Sequence, residues 1–204
     1  MRRHALLATI ALTQALLLPG CDGGGPAADR PPAPDSATIA RARLAADALG
    51  RDLMPLLLGA LERGGPAAAV AFCADSAQAR TARHQRAGID VRRVGTRVRN
   101  PANEPDSVER AFLDQLALAL EPGSLPQEIV TVIPAAAGSY QLQYVRPIVV
   151  AQPCLICHGD PTAFDPAVTR LLAERYPQDA ATGYRVGDLR GGITVRIPLV
   201  AREN

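Results

Sequence analysis

The chain has 204 residues, with 22 basic side chains (all arginine) against 20 acidic ones, and its formal net charge is +2. A chain so close to neutral lacks the basic excess that nucleic-acid binding requires, so we expect no nucleic-acid partner. Its length is sufficient for one domain with a hydrophobic core.

Residues 1–20 are typical of a bacterial export signal. Arg2 and Arg3 precede a short apolar run, which is the charge and hydropathy pattern of a secretory signal peptide. The Leu-Pro-Gly-Cys segment that ends at Cys21 resembles a lipobox, in which the cysteine is lipidated and becomes the new N-terminus. We therefore expect a lipoprotein signal peptide, with cleavage elsewhere as the alternative. Asp22 favours retention at the inner membrane, on its periplasmic side.

Residues 21–36 are rich in glycine, proline and alanine, and this composition predicts a disordered tether. The remaining residues, 37–204, are expected to form one folded domain. Apolar spacing and capping residues predict helices over residues 36–63, with a kink at Pro55, then over 66–85, from 106 to about 120, and over 166–174.

Strand-like runs cover residues 89–99, 128–133, 140–150 and 192–200. The helices come first and most of the strands follow, an order that predicts an α+β fold. The segment that carries the unusual chemistry of this chain lies in the loop between the last two strands.

That loop contains Cys154-Leu155-Ile156-Cys157-His158, which has the C-x-x-C-H spacing of covalent haem attachment. Two thiols of this spacing form thioethers with the haem, and the adjacent histidine binds the iron. The alternatives are a thioredoxin-like dithiol and a zinc site made of Cys73 and the three motif side chains. Export favours haem, because bacteria attach haem c outside the cytoplasmic membrane. We therefore expect one covalent haem c.

The second axial ligand of the iron stays open from the residues alone. Cys73 has no disulfide partner to expect, and small residues surround it in a predicted helix. His84, Met54 and water are the other candidates, and a buried, inert Cys73 is the alternative for that residue.

Arg93, Arg97 and Arg99 fall on one face of the strand predicted over residues 89–99. Arg97 and Arg99 are candidates to pair with the haem propionates, because guanidinium groups bind carboxylates in a forked geometry. A solvated face is the alternative interpretation of these arginines.

Five segments, residues 94–105, 146–148, 154–159, 176–184 and 187–192, resemble a bacterial family of PAS-like c-type haem domains. Members of that family also serve as sensor modules of histidine kinases. The resemblance implies a central antiparallel sheet with flanking helices and a covalently bound haem. It also implies that His158 and Cys73 are the two axial ligands of the iron.

With both ligands in place the iron would have no open position, so we expect no enzymatic activity. The expected function is that of a redox or gas (CO/NO) sensor component that signals to an unknown partner protein. The alternative is a periplasmic electron carrier, which would keep its ligands in both oxidation states.

Overall fold

The computed structural model describes residues 31–118 and 125–199. The predicted signal peptide, Cys21 and most of the predicted tether lie outside the described residues. The helices and strands, in chain order, are α1 (Ser36–Asp75), α2 (Ala77–Ala82), β1 (Asp90–Gly95), α3 (Ser107–Leu118), β2 (Ile129–Pro134), β3 (Tyr140–Val149), α4 (Leu155–His158), α5 (Pro166–Arg175) and β4 (Leu189–Leu199).

The four strands form one antiparallel sheet in the order β1-β4-β3-β2. The two long strands β3 and β4 occupy its centre, and helices cover both faces. The predicted α+β class, with a central antiparallel sheet and flanking helices, is therefore confirmed.

The first half of α1 covers one face of the sheet. Ala42, Ala46 and Leu49 repeat at helical spacing, have exposed fractions of 0%, and pack against Tyr144 and Val195. By length and composition α1 could cross a membrane, yet these contacts place its first half in the core of the domain. Asp35 is the N-cap of α1, because its carboxylate accepts the Thr38 N–H at 2.6 Å.

Helix α1 is broken at Gly65, between the two helices that the sequence predicts over residues 36–63 and 66–85, and the chain is not interrupted at the predicted kink, Pro55. Gly65 is the one residue of α1 with non-helical dihedrals (φ 69°, ψ −170°), and Pro55 lies within the continuous helix. Glycine adopts positive φ without a steric penalty, and Pro66 is suited to restart a helix directly after it. The second segment of α1 then ends at Asp75, ahead of the short α2, instead of continuing to residue 85.

Helix α3 covers the opposite face of the sheet and begins with a capping box formed by Asp106 and Glu109. The Glu109 N–H donates to the Asp106 carboxylate at 2.9 Å, and the Asp106 N–H donates to the Glu109 carboxylate at 3.0 Å. Glu109 is buried and also accepts the Thr194 hydroxyl at 2.7 Å. Leu113 and Leu116 complete the packing of α3 on the sheet.

Candidate haem site

A cavity of about 310 Å³ lies beside the sheet, bounded by the second half of α1, the end of β1 and α4. Its volume falls at the lower end of the range of ligand sites. Cys73, Cys154, Cys157 and His158 all line it. The structure therefore brings the C-x-x-C-H motif together with the cysteine that the sequence resemblance assigns as second axial ligand.

The motif itself forms a tight turn. A 3-10 turn over Gln152–Cys154 leads into the single helical turn of α4, and Gly159 ends it. Residues three apart on a helical turn lie on the same side, which is the arrangement of Cys154 and Cys157. Glycine is required at position 159, because a Cβ there would lie 2.6 Å from the Leu155 carbonyl oxygen.

Backbone hydrogen bonds fasten this turn to the segment that precedes β4. The Tyr184 N–H donates to the His158 carbonyl at 2.9 Å, and the Gly183 N–H donates to the Gly159 carbonyl at 2.7 Å. These two bonds fix the position of the motif histidine relative to residues 181–184.

The imidazole of His158 is oriented as metal-binding histidines generally are. Its Nδ1 lies 2.7 Å from the carbonyl oxygen of Ala181. A carbonyl can only accept, so Nδ1 carries the proton and the lone pair of the neutral ring is on Nε2. Burial, assisted by the charges of Arg190 and Arg99, lowers the pKa of His158 to about 3. The ring is therefore neutral, as an iron ligand must be.

Cys73 lies in the second segment of α1 and is half-buried, with its sulfur free of any disulfide. Burial raises the pKa of the Cys73 thiol, while the nearby Arg93 guanidinium acts in the opposite direction. Burial likewise raises the pKa of Cys157. Both sulfurs are therefore held in apolar surroundings that suit a hydrophobic cofactor.

Of the other candidate axial ligands, His84 lies outside the cavity wall and Met54 lines it. His84 Nε2 lies 3.0 Å from an Asp52 carboxylate oxygen, and Arg80 pairs with the same carboxylate at 2.9 Å. Within residues 31–118 and 125–199, no three His, Cys, Asp or Glu side chains come together to hold a metal ion. The zinc interpretation therefore finds no support in the described part of the chain.

Arg99, predicted as a propionate contact, binds the protein itself. Its Nη2 donates to the carbonyl of Cys157 at 2.6 Å and lies 2.9 Å from the Asp179 carboxylate, and its side chain is only 8% exposed. Arg99 therefore fixes the position of the motif turn through the Cys157 carbonyl. Its contact with a propionate stays a prediction.

Arg97, the other predicted propionate contact, donates to the carbonyl of Thr182 at 2.6 Å, and its guanidinium lies 3.6 Å from the centre of the Tyr184 ring. Its role toward a propionate also stays a prediction. Sequence reasoning missed Arg190, which donates to the Arg97 carbonyl at 3.0 Å and lines the cavity. Arg190 follows Leu189, in the segment of residues 187–192 that resembles the haem family, so position in that segment was the available signal.

The mouth of the cavity is an exposed apolar rim. Met54, Leu58, Val149 and Ile156 line the cavity and are 52%, 39%, 43% and 40% exposed. Exposed apolar side chains that are grouped in this way usually mark a binding site. The side chains that line the cavity fit a haem c: two thiols for attachment, a neutral imidazole with a free Nε2, and an apolar rim.

The fold and this cavity define an α+β domain with a cofactor-type pocket at the edge of an antiparallel sheet. The chain belongs to the Tll0287-like family, which it matches over residues 28–198. It is similar to the crystal structure of the cyanobacterial heme-protein Tll0287, with 25% identity and a TM-score of 0.59, covering 83% of this chain and 100% of that one. No curated protein matches the chain significantly. The family resemblance drawn from the sequence is therefore confirmed.

Proposed function

We propose that this protein binds one haem c in the cavity, attached covalently to Cys154 and Cys157, with His158 and Cys73 as the axial ligands of its iron. The observation that carries the proposal is the His158 Nδ1–H bond to the Ala181 carbonyl, which leaves Nε2 directed to act as a ligand. The heme-protein Tll0287, of the same family, supports it. The bound haem would supply a one-electron ferric/ferrous couple.

The chain's own residues hold and shield this group. The carbonyl of Ala181 fixes the tautomer of His158, and Arg99 fixes the turn that carries both attachment cysteines. Leu57 and Leu61 line the cavity with apolar surface, which would keep water away from a bound haem. A low-dielectric wall of this kind strengthens the influence of nearby charges on the iron.

The proposed role is that of a redox or gas (CO/NO) sensor component, exported and lipid-anchored through Cys21 on the periplasmic side of the inner membrane. Two protein ligands from separate elements, α1 and α4, support a sensor, because release of one of them would couple the iron to the position of α1. The partner would be a redox or signalling protein. Catalysis is not proposed, since within the described residues the cavity wall contains no carboxylate to act as acid or base.

The second candidate is an electron carrier, and the exposed apolar rim favours it. Val149 and Ile156 lie at the cavity mouth beside the attachment turn, where a partner could approach the edge of the cofactor. A carrier would keep both axial ligands on reduction, whereas a sensor would lose one or change shape.

The test of haem attachment is denaturing electrophoresis with haem staining, on protein made in cells with the c-type maturation machinery. The wild type and Cys73→Ser should both retain haem, because Cys73 is a ligand and not an attachment site. Cys154→Ala combined with Cys157→Ala should lose it. Absence of stained haem from the wild type would contradict the proposal.

The sensor and carrier roles are separated by adding CO to the reduced protein and recording its absorption spectrum. A sensor of the proposed kind should bind CO after release of Cys73. A spectrum unchanged by CO in the wild type would favour the carrier.

A further inference from the structure

We propose that Arg93 is the counter-charge of the Cys73 sulfur in the haem-bound protein, and that it raises the midpoint potential of the iron. The proposal rests on the ligation of iron by Cys73 that is proposed above. It makes Arg93 a positioning residue that acts on the iron through the thiolate.

Arg93 has no counter-ion among residues 31–118 and 125–199. It lies on β1, opposite Ile193 of β4, and lines the same cavity as Cys73. Its Nε is buried and has no acceptor in the structure, and no carboxylate of a described residue lies within ion-pair distance of it. A guanidinium nitrogen that is buried without an acceptor is costly unless an anion is supplied to it.

The other arginines of the cavity differ from Arg93 in this respect. Arg99 pairs with Asp179, Arg97 donates to a carbonyl and stacks on Tyr184, and Arg190 donates to a carbonyl. Each of the three has a protein partner that explains its position. Among the cavity-lining arginines that the structure describes, Arg93 is therefore the one without a partner in the protein.

Haem binding would supply two kinds of anion: the two propionates, and the thiolate that Cys73 becomes when its thiol loses the proton to bind the iron. The position of Arg93 favours the thiolate. On β1, Arg93 shares the strand parity of Val91, which belongs to the core cluster that contains Ala46 and Leu49 of α1, so Arg93 faces the helix that carries Cys73. In agreement with this placement, the charge of Arg93 opposes the rise that burial causes in the pKa of the Cys73 thiol. Burial lowers the pKa of Arg93, and the nearby sulfur opposes that effect.

A positive charge beside an iron-bound thiolate reduces the electron donation of the sulfur to ferric iron. The ferrous state, which has one more electron, is thereby favoured, and the midpoint potential rises. The cavity is apolar, so this charge is weakly screened and its effect is larger than at a surface.

The experiment is a double-mutant cycle on the holoprotein, with the midpoint potential and the ferric thiolate charge-transfer band as its two readouts. In the wild-type background, Arg93→Gln should lower the equilibrium constant for reduction about tenfold, the order expected for one charge at close range. It should also move the charge-transfer band to longer wavelength, because the sulfur becomes a better donor. Arg93→Lys retains the charge and should restore most of both values.

Arg92→Gln is the matched control, since Arg92 is the neighbouring residue of β1 but points to the other face of the sheet, where it lies 3.4 Å from Glu109. It should leave both readouts unchanged. In a Cys73→Ser background the shift in potential caused by Arg93→Gln should fall to less than half.

An equal shift in both backgrounds, with the band unmoved in the wild type, would assign Arg93 to a propionate and overturn the proposal. An unchanged potential in Arg93→Gln would also overturn it. Absence of a thiolate band from the wild type would instead contradict the ligation by Cys73, and so the two failures are distinguishable.

Discussion

Two parts of α1 ahead of its break at Gly65 have similar apolar spacing but different surroundings: a first half, residues 36–53, and a second half, residues 54–61. In residues 36–53, Ala46 and Leu49 are fully buried against the sheet. In residues 54–61, Leu57 lines the cavity and Leu58 is 39% exposed. Helical periodicity thus identifies an apolar face but does not say whether protein or cofactor covers it. The first half belongs to the core of the domain, and the second half forms one wall of the proposed haem site.

The largest effect on stability is expected for a substitution in residues 36–53, the half of this helix that packs in the core. Leu49→Ala should lower the free energy of unfolding by about 2–5 kcal/mol, because it removes a fully buried leucine and leaves a cavity. The loss should be similar with and without haem. Urea unfolding of the apo and haem-loaded proteins would measure it, and a loss below about 1 kcal/mol would place Leu49 outside the core.

On the cavity side, stability also depends on polar contacts, and substitutions of Arg99 test their contribution. Arg99→Ala breaks a buried ion pair with Asp179 and the bond to the Cys157 carbonyl, which should cost about 3 kcal/mol of the free energy of unfolding. Arg99→Lys, the matched variant, keeps the charge but not the forked geometry and should recover part of this loss. Equal stability of Arg99→Ala and wild type would show that other contacts hold the motif turn.

The comparison between the two halves is tested most sharply by Leu57→Ala. In the apoprotein this change should cost less than about 1 kcal/mol, because Leu57 is only half-buried and lies outside the core clusters. In the haem-loaded protein it should cost more, since a haem would then cover the side chain. Paired urea titrations give both values. A loss in the apoprotein as large as that of Leu49→Ala would mean that the two halves do not differ.

The smallest effect is expected in the pH dependence of stability, at Asp106 on the face of the sheet that α3 covers. The hydrogen bond from Arg196 lowers the pKa of Asp106 below its unfolded value of about 3.9, and burial partly opposes this shift. The stability that Asp106 contributes is therefore present above pH 4 and is lost as the pH falls through the folded pKa. Asp106→Asn keeps a capping side chain but removes the charge. It should be less stable than wild type at pH 6, and the difference should shrink below pH 4.

Much of this architecture follows from the sequence, because the decisive signals are local. The capping box at Asp106 and Glu109, the α+β order and the C-x-x-C-H turn each depend on a few neighbouring residues. The break of α1 at Gly65 was also predictable, as the gap between the helices expected over residues 36–63 and 66–85. The chain is not interrupted at Pro55, since a proline can lie inside a helix where its lost hydrogen bond is tolerated.

The environment of the site could not be predicted in the same way. The unpaired state of Arg93 and the hold of Arg99 on the Cys157 carbonyl depend on which distant segments meet. Spacing placed Arg93, Arg97 and Arg99 on one face but could not distinguish the arginine with protein partners from the one without. Similarly, the exclusion of His84 from the cavity depends on Asp52, 32 positions away in the chain.

The most direct test of the central claim is low-temperature EPR of the ferric protein, made in cells with the c-type maturation machinery. Ligation by His158 and Cys73 predicts a low-spin signal with the narrow spread of g values that thiolate ligation gives, and loss of that signal in Cys73→Ser. A high-spin signal, or the wide spread of two histidine ligands, in the wild type would contradict ligation by Cys73.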